Sequence, residues 1–320
     1  MFSLKSISSS PAKAILFGEH FVVYGVKAIL AAIDKRVAVT TTKTDDKKIT
    51  IRSTLASSSI PVSTQYKKTR MVFRPFFYIA KKTIQKHSFE GGLDITIDSH
   101  VPSGVGLGSS SACCVAASSS IMGLFENNFP DEVLKIAIDA ERTIFKETSG
   151  ADCTVCTFGG LIEYDKKNGY KRLDVKPRFH LVIANSKISH STNAVVSKVK
   201  KFKEKSDVFS NLCTQESELV KKAIKSLKEN DLVSLGNLMS QNQNYLEQIG
   251  VSNEKLDSMI KLANSTSFGS KLTGAGDGGC IIALADESNL NKTMDAFSNK
   301  NYECFSVKID TNGLQHKIES

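Results

Sequence analysis

The sequence predicts an α+β protein with two domains. Its 320 residues suit two domains of roughly 150 residues each. Short apolar runs and alternating strand patterns dominate the first half, whereas successive helical patterns dominate the second half. The change falls near residues 175–185. We therefore predict a first domain over residues 1–180 and a second domain over residues 181–320.

Strand patterns in the first half frame three helical segments. Some of the runs are short and apolar, and others alternate with the period of two that half-buried strands show. The predicted strands are 13–17, 29–33, 37–42, 48–53, 93–97 and 179–185, and the predicted helices are 70–87, 109–125 and 130–146. Residues 54–68 are rich in Ser and Thr, which predicts a surface connection.

Apolar residues in the second half recur mainly at helical spacing. The predicted helices are 192–205, 208–229, 231–249, 253–264 and 287–301. A glycine-rich loop at residues 273–279 leads into an apolar strand at 280–285, and a last strand is predicted at 303–309.

The charge balance is basic, with 42 Lys and Arg against 33 Asp and Glu and a formal charge of +9. The densest basic run, residues 198–205, has the spacing of a solvated helix face. The chain contains no Trp, no zinc-finger spacing and no alternation of basic with aromatic residues of the kind that stacks bases. We therefore expect no nucleic-acid partner, although a basic surface can attract an anionic small molecule.

Cysteine usage and the N-terminal residues favour a cytoplasmic protein. Seven cysteines are scattered along the chain, and such an odd set predicts reduced thiols. Cys153 and Cys156 have the spacing of a redox motif or half a zinc site, but no second Cys or His pair stands near them in the sequence. The first residues lack a basic segment followed by a long apolar one, so we expect no signal peptide.

Residues 101–125 contain no Asp, Glu, Lys or Arg and are long enough to cross a bilayer. Seven serines and four glycines lie among them, however, and the first third is a glycine loop. A buried loop followed by a helix explains this composition better, and no membrane association is expected.

One glycine-rich segment, Pro102-Ser-Gly-Val-Gly-Leu-Gly-Ser-Ser-Ser-Ala112, follows a predicted strand and opens a predicted helix. Glycines let backbone N–H groups approach a ligand, and a helix N-terminus adds unpaired donors, so the segment predicts a phosphate cradle. It is not a dinucleotide fingerprint, because Ser109 stands at the sixth position, and it lacks the Lys of a P-loop. The alternative is a glycine-rich turn with serine caps.

A second segment places Gly18-Glu19-His20 directly after the predicted strand 13–17. These residues can turn the chain, accept hydrogen bonds and donate them in close succession. Lys13 begins that strand among apolar neighbours, where a surface lysine is unexpected. The alternatives are a core histidine with satisfied hydrogen bonds and a lysine at a sheet edge.

A third segment, residues 271–280, surrounds Asp277 with Gly and Ala and leads into an apolar strand. Its small residues permit close backbone approach to a ligand or to the other domain. The alternative is a tight turn stabilised by a hydrogen bond to the Asp277 side chain.

Two carboxylates have the surroundings of functional groups. Asp152 follows Ser-Gly-Ala at a junction between a loop and an apolar stretch, which suits a general base or a charge-neutralising group. Glu141 lies in the predicted helix 130–146 beside small apolar residues. The alternative for Glu141 is a solvent-facing residue paired along the helix.

The three glycine-rich segments, in this order and with this content, resemble those of the GHMP kinases, the superfamily of galactokinases, homoserine kinases, mevalonate kinases and phosphomevalonate kinases. The resemblance runs from about residue 8 to residue 285. Galactokinases follow Gly-Glu-His with a Thr-Asp-Tyr-Asn-like stretch, whereas this chain continues Phe-Val-Val-Tyr-Gly and is similar to the members that act on mevalonate. The resemblance implies a strand-rich N-terminal nucleotide-binding domain and a helix-rich, ferredoxin-like C-terminal domain.

The resemblance also implies a role for each matching position. Asp152 and Lys13 match the catalytic pair, Glu19, His20 and Thr192 match the acceptor contacts, and Ser110 and Glu141 match the Mg²⁺ ligands. The implied ATP contacts are Pro102, Gly104, Val105, Gly106, Leu107, Gly108, Ser109, Ser110 and Ser111. The chain departs from the family at three positions, where Ala12 replaces a usual Gly, His190 an Arg of some relatives, and Asp277 interrupts a commonly all-glycine run.

The activity that the resemblance implies is ATP-dependent, Mg²⁺-assisted phosphorylation of the primary hydroxyl of (R)-mevalonate. A kinase for phosphomevalonate or another small hydroxy acid is the first alternative, and a non-catalytic member that binds a nucleotide or sugar is the second. The presence of Lys13, Glu141 and Asp152 favours an enzyme. The resemblance also makes a homodimer plausible, with ATP and mevalonate as small-molecule partners.

Overall fold

A computed structural model of the chain describes residues 4–102, 104–127, 129–146, 148–189 and 191–320. Two β-sheets, each covered by helices, make up the fold. The strands are β1 Lys5–Phe17, β2 Ala28–Thr44, β3 Lys48–Ser53, β4 Ser57–Pro61, β5 Gly92–Ser99, β6 Leu161–Asp165, β7 Gly169–Arg172, β8 His180–Asn185, β9 Gly269–Thr273, β10 Cys280–Ala285, β11 Glu303–Val307 and β12 Gln315–Glu319. The helices are α1 Arg74–Lys86, α2 Ser109–Met122, α3 Pro130–Glu141, α4 Ala151–Phe158, α5 Thr192–Lys205, α6 Val208–Glu229, α7 Leu232–Gln248, α8 Glu254–Asn264 and α9 Leu290–Ser298.

The first sheet has the strand order β12-β1-β2-β5-β3-β4, and β6 with β7 extends from β2. Among the strands in the described part of the chain, only β3 and β5 are paired in parallel in this sheet. The long strand β2 pairs with β1 on one edge, and with β6 and then β5 along the other. The N-terminal part of β1 therefore lies inside the sheet, between β12 and β2, and its last residue, Phe17, is fully buried.

Helix α2 is buried around most of its circumference, which explains the absence of charged residues between positions 101 and 125. It lies between the first sheet and the helices α1, α3 and α4. Two of its serines form hydrogen bonds to the sheet: Ser119 accepts from Ser8 at 2.8 Å, and Ser120 donates to the Ser6 carbonyl at 2.7 Å. Among the described residues, no helix combines the length and the apolar character needed to cross a membrane.

The second sheet has the order β11-β8-β10-β9, with every neighbouring pair antiparallel. The chain passes from β8 through helices to β9 and β10, and then through α9 to β11. This β-α-β-β-α-β run is the ferredoxin-like arrangement that the resemblance implies, so the predicted fold is confirmed. The last strand, β12, returns to the first sheet and pairs with β1, while the division at residues 180 and 181 stays a prediction.

Most predicted elements are present, and the differences have physical reasons. Residues 54–68 are not only a connection, because Ser57–Pro61 pairs with β3 as an exposed edge strand. Asp152 does lie at a junction between a loop and an element, and that element is a helix, because Gly150 adopts a left-handed conformation and α4 begins directly after it. The strand Gln315–Glu319 was not predicted, since its residues are all exposed and lack an alternating apolar pattern.

Candidate active site

The three glycine-rich segments meet between the two sheets. A Cβ atom on Gly274 would lie 3.1 Å from the Cα atom of Gly106. The glycine-rich segment at residues 102–112, which we call the phosphate-type loop, therefore touches the third segment through its backbone. The Thr273 hydroxyl accepts a hydrogen bond from the Ile15 amide at 2.9 Å and lies 3.2 Å from the Ile15 carbonyl, to which it donates. Segments far apart in the sequence thus form one site.

Lys13 links the second segment, which leads to Gly18-Glu19-His20, to the phosphate-type loop. Its amide donates to the Leu107 carbonyl at 3.0 Å, which joins that loop to β1. Gly108 has a φ of 73°, and a Cβ at this position would lie 2.6 Å from the Cγ atom of Lys13. Glycine is therefore required at residue 108 both by the backbone conformation and by the lysine side chain.

Lys13 and Asp152 form an ion pair with an Nζ–Oδ2 distance of 3.0 Å. The lysine side chain is only 4% exposed, whereas the aspartate side chain is 33% exposed. Asp152 lies in the first turn of α4, where the helix dipole favours a negative charge. The pair thus presents an ionised carboxylate to a ligand while a buried ammonium group sits beside it.

Glu141 is the last residue of α3 and is 4% exposed. Ser111 donates a short hydrogen bond to one carboxylate oxygen, and Thr148 donates to the other at 2.6 Å. The Cys153 thiol lies 3.7 Å from the latter oxygen. Burial raises the pKa of Glu141, and the nearby negative charge of Asp152 raises it further. The solvent-facing alternative for Glu141 is therefore wrong.

The surroundings of Glu141 suit Mg²⁺, which prefers oxygen ligands. Two carboxylates, Glu141 and Asp152, lie close enough to repel each other, and a cation between them would remove that repulsion. No group of three or more His, Cys, Asp or Glu side chains placed to hold a metal occurs in the described part of the chain. The hydroxyl that contacts Glu141 belongs to Ser111, and Ser110 lies one residue earlier at the half-buried start of α2. The metal roles of Ser110 and Glu141 stay predictions.

The phosphate-type loop has the backbone of an anion cradle. Gly104, Gly106 and Gly108 have φ values of 75°, 86° and 73°. Helix α2 begins at Ser109, and its first N–H groups have no intrahelical acceptor, as in any helix. No side chain of the N-cap residue accepts from them either, so they can donate to an anion. The other predicted ATP contacts lie along this loop and first turn: Pro102 is half-buried, Val105 and Leu107 are buried, Ser110 is half-buried and the Ser111 side chain turns to Glu141. Ser103 lies outside the described residues.

Glu19 and His20 are held by the C-terminal half of the chain. Glu19 forms a short, fully buried ion pair with Lys271, which begins the third segment. The ring Nε2 of His20 donates to the Ala275 carbonyl at 2.8 Å, which leaves Nδ1 as the acceptor nitrogen. Burial lowers the pKa of His20 to about 4, so the ring is neutral at neutral pH.

Thr192 is a further predicted site residue, and its acceptor role stays a prediction. It is the first residue of α5 and is exposed, and the Ser191 side chain caps that helix. Within the described residues, Thr192 forms no hydrogen bond with Lys13 or Asp152. His190, two residues earlier, lies outside the described residues.

Comparison with known proteins shows the family. The family models described as GHMP kinases N terminal domain and GHMP kinases C terminal match residues 74–160 and 223–304. Mevalonate kinase from Methanothermobacter thermautotrophicus is 32% identical over 318 residues, which cover 97% of this chain and 100% of that protein. Mevalonate kinase from Thermococcus sibiricus is also 32% identical, over 89% of this chain and 90% of that protein. This chain belongs to the mevalonate kinase family of GHMP kinases.

Solved structures of the family agree with the fold. Methanococcus jannaschii mevalonate kinase superimposes with a TM-score of 0.84 at 25% identity, over 95% of this chain and 98% of that one. L. major mevalonate kinase in complex with R-mevalonate gives a TM-score of 0.79 at 27% identity, over 94% and 95% of the two chains. The resemblance to the GHMP kinases is therefore confirmed.

Sequence reasoning missed three buried polar residues of this mevalonate kinase-family site. Lys271, Glu216 and Asn242 have fully buried side chains. Lys271 lies in β9, whose residues are all buried, and a lysine in such a strand is a signal of a buried partner. Glu216 lies on α6 at helical spacing from buried Leu212 and Leu219, and a carboxylate on an apolar face is a signal of the same kind.

Proposed function

We propose that this chain transfers the γ-phosphoryl group of ATP to the primary hydroxyl of (R)-mevalonate and releases ADP and 5-phosphomevalonate, a step toward isoprenoids. The observation that carries the proposal is the Lys13–Asp152 pair at the junction of the three glycine-rich segments. Identity of 32% to a mevalonate kinase over nearly the whole chain supports mevalonate as the acceptor.

The Lys13–Asp152 pair suits the acceptor hydroxyl. Asp152 orients the hydroxyl and takes its proton as the bond between oxygen and phosphorus forms. Lys13 offsets the negative charge that develops on the attacking oxygen, from a position 3.0 Å from the carboxylate. Phosphoryl transfer depends mainly on positioning and charge neutralisation, and this pair contributes to both.

The phosphate-type loop suits the leaving diphosphate. The backbone N–H groups of Gly104, Gly106, Gly108 and the first turn of α2 donate hydrogen bonds to the phosphate oxygens. Ser110 and Glu141 would hold Mg²⁺ beside this loop. When bound, Mg²⁺ neutralises charge on the β- and γ-phosphates.

Glu19 and His20 suit the acceptor side of the site. Neutral His20 has its Nε2 proton engaged by the Ala275 carbonyl, so Nδ1 is available to accept a hydrogen bond from an acceptor hydroxyl. Lys271 neutralises the charge of Glu19, which is buried on the acceptor side of the site. We include Thr192 among the acceptor contacts on the strength of the family resemblance.

The test of this proposal is ADP release with ATP and Mg²⁺ in the separate presence of mevalonate, 5-phosphomevalonate, galactose and homoserine. We expect release with mevalonate alone. Release with 5-phosphomevalonate or another of these acceptors would keep the kinase chemistry and overturn the substrate. If a protein that binds ATP releases no ADP with any of the four acceptors, the result would favour a non-catalytic member of the family.

We also propose that the protein is a cytoplasmic homodimer. The described cysteines are all free, which suits a reducing compartment, and the family resemblance supports a dimer. Light scattering on the eluting peak of a sizing column tests the assembly. A mass of twice 34.9 kDa is expected, and a mass equal to that of one chain at micromolar concentration would contradict the dimer.

A further inference from the structure

A fully buried carboxylate, Glu216, lies beneath the acceptor side of the site. It belongs to α6 in the C-terminal half of the chain, and its side chain is 0% exposed. One carboxylate oxygen accepts a hydrogen bond from the Gly18 amide at 2.8 Å. The other accepts a hydrogen bond from the Asn242 amide at 2.7 Å. Each oxygen therefore has one defined partner, and the carboxylate has a fixed orientation.

The Gly18 amide needs this partner. The pairing of β1 with β2 ends at Phe17, so Gly18 has left the sheet and its buried N–H has no strand acceptor. Gly18 has a φ of 92°, and a Cβ there would lie 2.6 Å from the Cα atom of Ala28. The chain is thus pressed against β2 as it turns. A buried amide without an acceptor destabilises the fold, and Glu216 supplies the acceptor that the Gly18 amide needs.

The same helix contacts the chain again just beyond the Gly18-Glu19-His20 turn. Phe209, two turns before Glu216 on α6, stacks on Phe21 with ring centroids 5.7 Å apart. It also packs edge-on against Tyr24 at 4.9 Å. Helix α6 therefore holds both sides of the turn, by a hydrogen bond before Glu19 and His20 and by aromatic packing after them.

We propose that Glu216 is a positioning residue for the acceptor, because it fixes the turn that carries Glu19 and His20. This inference rests on the proposed function, which names mevalonate as the acceptor and assigns Glu19 and His20 to its side of the site. Glu216 does not touch the reacting groups. It acts through the Gly18 backbone, and the position of its oxygen rather than its charge carries the role.

If the position of the Glu216 oxygen matters, two conservative variants should behave in the opposite way from what a role for its charge would predict. Glu216→Asp keeps the charge but draws the acceptor oxygen back by one methylene from Gly18. Glu216→Gln keeps the acceptor oxygen in place and removes the charge. The Gln amide also finds a partner, because Asn242 Oδ1 has no hydrogen bond in the described structure and a flip of the Asn242 amide allows it to accept.

The experiment measures kcat and both KM values for wild type, Glu216→Asp and Glu216→Gln, with thermal unfolding on the same samples. We expect Glu216→Asp to raise the KM for mevalonate about tenfold and to leave the KM for ATP within about twofold, since small displacements at a binding site carry such penalties. Glu216→Gln is expected to keep both KM values within about twofold of wild type.

A matched control separates positioning from general destabilisation. Thr293 is fully buried in α9, and its single hydroxyl proton is shared between two backbone carbonyls outside the site, those of Thr266 and Asn289. Thr293→Val should lower the unfolding temperature and leave both KM values unchanged. Asn242→Ser, which removes the hydrogen bond to the second Glu216 oxygen, should raise the KM for mevalonate about threefold and serves if Glu216→Asp does not fold.

Three results would overturn the inference. Glu216→Asp with an unchanged KM for mevalonate would remove the positioning role, as would an equal rise in both KM values. Glu216→Gln with a larger effect than Glu216→Asp would assign the role to charge. If wild type phosphorylates a different acceptor, the proposed function fails, and the same KM comparison with that acceptor still decides the role of Glu216.

Discussion

The site contains two lysine–carboxylate pairs that differ in exposure. Lys13–Asp152 joins a buried ammonium group to a carboxylate whose side chain is 33% exposed. Lys271–Glu19 is fully buried on both sides. An ion that faces solvent can exchange its partner for a ligand, whereas a buried ion pair cannot separate without a large desolvation penalty. The first pair is therefore suited to chemistry, and the second to holding the two halves of the chain together.

Loss of the Lys13–Asp152 pair, whose carboxylate reaches solvent, should have the largest effect on turnover. We expect Asp152→Asn to lower kcat at least about 1000-fold, because the amide cannot accept the hydroxyl proton. ATP affinity should change less than about threefold, and thermal unfolding should be preserved. Single-turnover ADP formation and nucleotide binding by calorimetry measure the two effects. A kcat near the wild-type value would remove Asp152 from the chemical step.

The buried pair should dominate stability. Lys271→Met leaves Glu19 as an uncompensated buried charge, and removal of one partner of such a pair typically costs about 3–5 kcal/mol. The double variant Glu19→Gln with Lys271→Met should recover at least about half of that loss, since no charge then remains unpaired. Denaturant unfolding of the single and double variants measures both. Equal stability of Lys271→Met and wild type would contradict the structural role of this pair.

The contribution of the neighbouring buried carboxylate, Glu216, to the free energy of unfolding should depend on pH. Burial raises the pKa of Glu216 to about 7, and the charge of Glu19 adds to the effect. Because the folded pKa lies above the ordinary value, the native state holds a proton that the unfolded state releases, so this contribution is present below about pH 4.5 and is lost as pH rises through about 7. His20, whose pKa is lowered to about 4, has the opposite slope below pH 6.5.

Glu216→Gln isolates the Glu216 contribution. The stability of this variant relative to wild type should rise between pH 5 and pH 7.5, by on the order of 2 kcal/mol. Urea unfolding at the two pH values measures it. Glu218→Gln changes an exposed carboxylate on the same helix and should give no such rise. A flat difference for Glu216→Gln would show that Glu216 is already ionised at pH 5.

The smallest expected effect is on metal affinity, and it comes from the Ser111 hydroxyl, which orients Glu141 near the Lys13–Asp152 pair. Ser111→Ala removes the donor to one Glu141 oxygen, while Thr148 keeps the other in place. We expect about a threefold weaker affinity for Mn²⁺ in the nucleotide complex, read by electron paramagnetic resonance, and a matching shift in the Mg²⁺ titration of activity. Ser120→Ala, on the same helix and equally buried, should change neither. Equal metal affinity of Ser111→Ala and wild type would remove this orienting role.

The sequence pointed to the candidate site residues that lie in or beside the glycine-rich segments or match the family pattern, but it did not reveal the buried partners that come from distant elements. Glycine spacing and the family resemblance pointed to Lys13, Asp152 and Glu141, because the backbone requirements of a glycine loop are visible locally. Lys271 is 252 residues from Glu19, and Glu216 is 198 residues from Gly18. Such pairings depend on how β9 and α6 pack against β1, which no local pattern encodes.

The fold shows the same limit. Helices with a clear apolar period, such as α6 and α7, were predicted nearly to the residue. The strand β12 was not predicted, because its pairing with β1 rather than its own apolar pattern makes it a strand. The metal roles of Ser110 and Glu141 and the acceptor role of Thr192 stay predictions.

The most direct test of the division between the two pairs is the kcat of Lys13→Met, with thermal unfolding recorded on the same sample. We expect a loss of turnover of at least about 100-fold, since the charge beside the attacking oxygen is gone. We also expect an unfolding temperature close to that of wild type, because Asp152 retains access to solvent. Near wild-type turnover, or unfolding as severe as that expected for Lys271→Met, would contradict the division between the two pairs.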